Sequence, residues 1–405
     1  MNLFWNRFSA CCGVSCALLA MFFINTSAAE ITPLRYQTQS LTIDGRQVQA
    51  RIPQGYRLEF LGPLNTPRML TFASDGALFV GSKAGIVYRL APPYTTANKL
   101  IDIGGYPHSV AFRQGEILIA KTDGVYRAPF QAGQERLDSS AVKLLAALPG
   151  GWGHNSRTLS VGPDGRIYVS LGIQGNCSDQ YLGKDYDFDD QRGGVLVLRE
   201  DGKPRWQPYA SGLRNPVGLA WQPKSNVLYA SNNGPDHSGY DFPPEYFSKL
   251  TPDSFHGMPW FQSDGARLKR DTCESSKPPR PASEVSLPVA TFPARSAPMG
   301  VSFVPEGALD PALSGDAIVA IHGSWGTQPS GGPLGDPASR RPPRLAIVRF
   351  EGNNAQRVDD FVTGFQAANG ERWARPIGVA FGPDGALYFT SDSATEGLFR
   401  IRRAP

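Results

Sequence analysis

Six copies of one strand–turn–strand pattern predict an all-β chain folded as a six-bladed β-propeller. Each copy opens on Pro or Arg, runs through a short apolar strand, turns, usually on Gly, and enters a second apolar strand. The copies stand at Pro67 (PRMLTFASDGALFVGSKAGIVYRL), Pro107 (PHSVAFRQGEILIAKTDGVYRA), Arg157 (RTLSVGPDGRIYVSLG) and Pro216 (PVGLAWQPKSNVLYASNNG). Two more lie around Pro298 (APMGVSFVPEG, then DAIVAIHGSW) and at Pro376 (PIGVAFGPDGALYFTSDSATEGLFRIRR). Composition agrees, since 44 Gly and 35 Pro with little helical periodicity describe a turn-rich β protein. One repeat cannot bury both faces of its own sheet, so neighbours must stack around an axis. A solenoid with open ends is the alternative stacking.

In chain order, Met1 to about Ala29 reads as a secretory signal, with Arg7, an apolar stretch over 16–24 and a small-residue exit at Ser27, Ala28 and Ala29. A membrane anchor needs roughly 20 unbroken apolar residues; Ser9, Gly13, Ser15 and Asn25 interrupt this one. The expectation is a periplasmic or secreted protein, not membrane-spanning after cleavage, with the propeller over 30–405. Residues 31–60 read as strands that pair with the last blade and close the ring.

The copy at 150–175 carries the most chemistry. It predicts antiparallel strands around Pro163, Asp164 and Gly165, with His154 and Arg157 at the rim where the chain enters the sheet. The repeats average well above the roughly 40–45 residues of a compact blade, and the surplus lies in three stretches, 174–192, 236–279 and 326–344. Each is read as following a second strand, so all should emerge on one face. Cys177 and Cys273 are left after signal removal, either as a disulfide or as two buried thiols.

Net charge is +4 with dispersed Lys and Arg, which excludes a nucleic-acid surface built on a basic run. Polar residues instead recur at equivalent positions: His108; His154 and Arg157; Arg214 and Asn215; Asn233; His322 and Trp325; Arg375. Gathered at one propeller mouth, they would form a basic, anion-seeking funnel. The acidic run Asp185, Asp187, Asp189, Asp190 fails the EF-hand pattern and reads as a solvated loop.

Seven motifs together resemble the glucose/sorbosone dehydrogenase family: GHNSR (153–157), GLRNPVGLAW (212–221), NNGP (232–235), PPEYF (243–247), SAPMG (296–300), HGSW (322–325) and RPIGVAFGPDG (375–385). PPEYF and HGSW lean towards its sorbosone dehydrogenase-like branch. The resemblance implies an exported six-bladed propeller that oxidises an aldose or aldehyde sugar with pyrroloquinoline quinone and calcium, passing electrons to an external acceptor (quinone, cytochrome or dye). It places His154 on the general base and the backbone carbonyls of Gly234 and Pro235 on the calcium. His108, Arg214, Asn215, Asn233, His322, Trp325 and Arg375 become cofactor-binding candidates, with Arg295 and Trp152 as further ones. Asp241 and Glu245 are candidates for a second calcium or for supporting contacts. Arg295, His322 and Gly153 stand where relatives carry a histidine, a lysine and an aspartate. Two other functions share the fold class: a calcium-dependent lactonase-type hydrolase and a non-catalytic ligand-binding propeller.

Overall fold

A computed structural model describes residues 31–404; the candidate signal lies outside them. Nearly all regular structure is strand, arranged as six four-membered blades around one axis. The innermost strands are Pro67–Phe72, Ser109–Arg113, Leu159–Val161, Pro216–Trp221, Pro298–Phe303 and Ala374–Phe381, in blades 1 to 6 respectively. Each falls in one of the six sequence repeats.

The strand pair predicted around 163–165 forms with Leu159 opposite Val169 and Val161 opposite Ile167. Gly162 N donates to Arg166 O across the turn, and Asp164 accepts from the Tyr168 hydroxyl at 2.8 Å. Blade 6 repeats the device at Gly382, Asp384 and Tyr388. The shared GPDG–Tyr spacing thus fixes the same turn twice.

Three equivalent glycines explain the Pro-x-Gly start of blades 4, 5 and 6. A Cβ on Gly218 would lie 2.2 Å from Met299 O, on Gly300 2.6 Å from Ile377 O, and on Gly378 2.6 Å from Arg68 O. Successive inner strands approach so closely that only hydrogen fits between them. They enclose a narrow axial channel of about 340 Å³, lined by inner-strand residues of all six blades.

The ring closes as the sequence predicts, with one correction. Only Tyr56–Pro63 joins the last blade, pairing antiparallel with Gly397–Arg403. Tyr36–Ile43 and Arg46–Pro53 form a separate hairpin, linked to the body at Arg51 and Thr363. Its alternate residues Leu41, Ile43, Ala50 and Ile52 are buried against Phe361 and Phe365, so it packs as a cover instead of extending the sheet.

A second correction concerns 236–279. This stretch contains the third strand of blade 4, Glu245–Leu250, so most of the surplus leaves after the third strand, not the second. The chain then pairs Ser254–Phe255 in parallel with the outer strand of blade 3. Phe255 and Trp260 are fully buried there and pack against Tyr181. A disulfide between Cys177 and Cys273, Cα atoms 5.9 Å apart, joins this insertion to the loop after the second strand of blade 3.

Candidate functional site

Strands alternate in direction, so the starts of inner strands and the ends of second strands share one face. That face receives His154, Arg214, Asn215, Arg375 and, from second-strand ends, Lys83, Gly172, Asn233, His322 and Asp392.

The loop carrying His154 is held by two fully buried arginines. Arg192 donates to Gly172 O, Gly150 O, Trp152 O and His154 O. Arg157 donates to Pro149 O, His154 O and Ser156 O. Arg157, expected beside His154 at the rim, therefore clasps the loop from beneath.

His154 Nδ1 lies 2.6 Å from Ile173 O. A carbonyl only accepts, so Nδ1 carries the proton and Nε2 keeps its lone pair. No described residue bonds to Nε2. Burial, reinforced by Arg214 and opposed by the Ile173 bond, lowers the pKa of His154 to about 4. The imidazole is neutral at neutral pH.

The backbone under His154 must be bare. A Cβ on Gly172 would fall 2.5 Å from the His154 Cβ and 2.6 Å from Asn215 Oδ1. Gly172→Ala is therefore expected to displace the imidazole and lower turnover ~10²-fold with the fold retained; steady-state kinetics beside a thermal melt checks this. Gly153 is constrained too, since its backbone has φ +83 and presses on Gln174 O.

Arg214 is nearly buried. Its Nε donates to Asn176 O at 3.1 Å, its Nη2 to Asn176 Oδ1 at 2.9 Å, and Asp236 lies 3.7 Å away. Asn215 Oδ1 is buried near His154 and has no hydrogen-bond donor among the described residues. The Asn233 amide donates to Pro298 O at 2.6 Å and ties blade 4 to blade 5.

Gly234 and Pro235 are buried on a loop fixed from both sides. Glu245 accepts from Gly234 N at 2.5 Å and from Arg295 N at 3.0 Å, and burial raises its pKa to about 7. Arg295 donates to Pro235 O at 2.7 Å, to Asp236 at 2.6 Å and to Gly239 O. Its guanidinium therefore organises the loop and is not a free charge for a ligand. Of the two acidic candidates here, Glu245 supports Gly234, whereas Asp241 is exposed and pairs with Arg341.

On the opposite arc, Asp392 is the hub. Arg68 Nη1 lies 2.5 Å from Oδ2, His322 Nε2 2.7 Å from Oδ1, and Lys83 Nζ 3.9 Å from Oδ2. Arg375 Nη2 lies 2.8 Å from His322 Nδ1 and 2.5 Å from Gly323 O. A guanidinium only donates, so His322 accepts at Nδ1 and donates from Nε2 to Asp392. Its pKa falls to about 4 through burial, despite the carboxylate; the same neighbours hold Asp392 far below the usual carboxylate range.

His108 requires a correction. It is fully buried, with Nδ1 facing Tyr106 OH and Arg68 and Nε2 facing Thr158 Oγ1. No ring nitrogen is left for a ligand, so His108 joins the two arcs from within the wall. Trp325 and Trp152 are 49% and 69% exposed, available as aromatic surface. Asp185, Asp187 and Asp189 are exposed, as a solvated loop requires.

Sequence reading missed Arg68, Lys83, Asn176, Arg192 and Asp392. Two carried a signal: Arg68 follows the opening Pro67 of its blade, and Asp392 stands in its second strand at the position that Asn233 holds after the start of the second strand of blade 4. Four histidines held neutral have a consequence for stability. His154, His256 and His322 have pKa values of about 4, and burial places His108 well below its usual value. Above pH ~6.5 folded and unfolded states are alike at these groups. Below it the unfolded chain binds protons the native state refuses, so stability falls as pH drops from ~6.5 towards 4. Denaturant midpoints across that range check the sign.

The family profile described as Glucose / Sorbosone dehydrogenase matches residues 119–322, half of the chain. The chain belongs to the glucose/sorbosone dehydrogenase family. A TrAA12-like profile matches residues 254–404. Among this family member's relatives, quinoprotein glucose dehydrogenase B of Acinetobacter calcoaceticus is 36% identical over 121 residues, 24% of this chain and 25% of the relative. An uncharacterised protein of Borreliella burgdorferi is 22% identical over 399 residues, covering 94% of this chain and 98% of its own. The fold is shared with a Trichoderma reesei enzyme of carbohydrate-active family AA12 solved with calcium (TM-score 0.71, 17% identity, 93% of this chain and 100% of that one). It is shared too with the holo PQQ domain of pyranose dehydrogenase from Coprinopsis cinerea (TM-score 0.66, 18% identity, 92% and 98%).

Proposed function

We propose that this family member is an exported quinoprotein dehydrogenase that oxidises an aldose or related aldehyde sugar, using pyrroloquinoline quinone and calcium. The observation that carries the reading is the fixed tautomer of His154: Nδ1–H on Ile173 O leaves a lone pair at Nε2 in a site otherwise crowded with cations.

The residues fit such a cofactor. A flat tricarboxylate needs cations with unused N–H groups, and Lys83, half exposed, and Arg375, whose Nη1 donates to no described residue, supply them. Arg214 adds charge, Asn233 and Asn215 amide contacts, His322 an orienting bond to Arg375, and Trp325 or Trp152 stacking surface. Gly234 and Pro235 carbonyls would hold calcium, a hard ion suited to oxygen ligands. Pro235 O accepts from Arg295, and no other described residue donates to it. When bound, the cofactor and its ion supply a two-electron acceptor for the hydride of the sugar carbon.

The chain's own task is the proton. His154 Nε2 takes it from the sugar hydroxyl, while Ile173 O stabilises the resulting imidazolium through Nδ1–H. Burial first, then Arg214, with Arg192 and Arg157 adding to it, holds the free imidazole neutral. Arg214 and Arg375 would hold carboxylates of the cofactor, whose negative charge would offset the arginine part of that effect and raise the proton affinity of His154. The lactonase-type alternative needs free inward carboxylates around an ion. Glu245 and Asp392 are already engaged, which favours the dehydrogenase.

Reconstitution with pyrroloquinoline quinone and calcium, then dye reduction with a panel of aldoses, tests the proposal. Sugar-dependent reduction is expected. Lactone hydrolysis with calcium alone, or cofactor binding with no substrate turned over, would replace it with one of the other two functions.

A further inference from the structure

The loops that carry Arg214's partners are bracketed by one covalent link, and the bracket is not used by the chemistry above. Asn176 Oδ1 receives two donors, Arg214 Nη2 at 2.9 Å and the backbone N of Asp236 at 2.7 Å. Both are obligate donors, so the amide orientation is fixed and the atom is the oxygen. Asn176 O accepts a third bond, from Arg214 Nε at 3.1 Å. One residue thus ties an arginine of blade 4 to the loop holding Gly234 and Pro235.

Asn176 is itself anchored through the next residue. Cys177 is bonded to Cys273, whose backbone N donates to Asp271 Oδ1 at 2.9 Å. The same oxygen lies 2.9 Å from His237 Nε2, and His237 follows Asp236. Asp271 is buried and its second oxygen accepts from Gln262 at 2.9 Å. From the disulfide two arms therefore return to the same loop, through Asn176 to Asp236 and through Asp271 to His237.

We infer that Asn176 is a positioning residue, and that the Cys177–Cys273 disulfide braces it so that Arg214 and the 234–237 loop keep one mutual geometry. The part of this concerning cofactor affinity rests on the proposed function; the brace does not. A loose bracket lets Arg214 and the two carbonyl groups move independently, and a ligand that needs both must then order them on binding.

Peptide-resolved hydrogen exchange on the full chain tests the brace. In Asn176→Ala, and separately in Cys177→Ser/Cys273→Ser, the Asp236 amide is expected to exchange about tenfold faster. The Asn233 amide, bonded to Asn215 O at 3.1 Å, serves as the unchanged control. Asn176→Asp keeps both acceptor positions and is expected to restore protection. Asn176→Ala retains the disulfide, so the test survives if the serine variant does not fold. A second readout is pyrroloquinoline quinone affinity, expected to weaken about tenfold in the first two variants while kcat at saturating cofactor stays within about twofold. Unchanged Asp236 exchange in Asn176→Ala overturns the inference. So does wild-type affinity in both variants, even if both melt lower. If the wild-type chain binds no pyrroloquinoline quinone, the proposed function falls and the exchange result still decides the brace.

Discussion

Replacing His154 with alanine is expected to lower turnover ~10²–10⁴-fold while cofactor affinity stays near that of the wild type. The split follows from the geometry. Arg157 and Arg192 clasp the backbone carbonyl of His154, not its ring, so the loop survives loss of the imidazole. The side chain contributes one bond to the fold, to Ile173 O. What disappears is the only acceptor nitrogen that the described residues present unbonded in the mouth; His108 and His322 both have their nitrogens engaged. Stopped-flow reduction with cofactor prebound separates the chemical step from binding. A variant with wild-type turnover would remove His154 from the reaction.

Asp392→Ala is expected to have the largest effect on stability, about 3–5 kcal/mol, together with loss of cofactor binding. Asp392 is 5% exposed at its side chain and lies against Arg68, His322 and Lys83. Removing it leaves the buried guanidinium of Arg68 beside His108 with no counter-ion. His322 then loses the acceptor for Nε2–H, and only the Arg375 donor at Nδ1 still orients the ring. Asp392→Asn keeps one acceptor and is expected to cost less in the melt than in affinity. Urea unfolding of both variants checks the order; equal, small losses would show that the hub is dispensable.

Much of this fold was legible because the same local chemistry repeats. A Pro-x-Gly start and a turn with its aspartate bonded to the next strand's tyrosine recur with fixed spacing, and steric contact between inner strands demands the glycine. Ring closure was legible only in part. The alternation in 36–53 resembles that of a blade strand, and nothing local distinguishes a covering hairpin from a closing strand. The long insertion was misplaced for a related reason: 236–279 was read as one surplus stretch after a second strand, yet Glu245–Leu250 within it is the third strand of blade 4.

Within the site, residues at strand ends were predictable from register, as His154, Arg214, Asn233 and His322 were. Roles were harder to read than positions. Arg157, Arg295 and His108 carry the right chemistry for a ligand, but the structure uses their donors on carbonyls and wall residues. Arg192 and Asn176 lie in an irregular loop where no period points to them. Their importance comes from contacts across blades, which single-chain spacing does not encode.

The most direct measurement is the absorption spectrum of purified protein titrated with pyrroloquinoline quinone and calcium, then with sugar. The account predicts saturable, stoichiometric uptake of the cofactor, followed by its conversion to the reduced form on adding an aldose, rapid in the wild type and slow in His154→Ala. A bound cofactor that no sugar reduces, or reduction equally fast without His154, would contradict it.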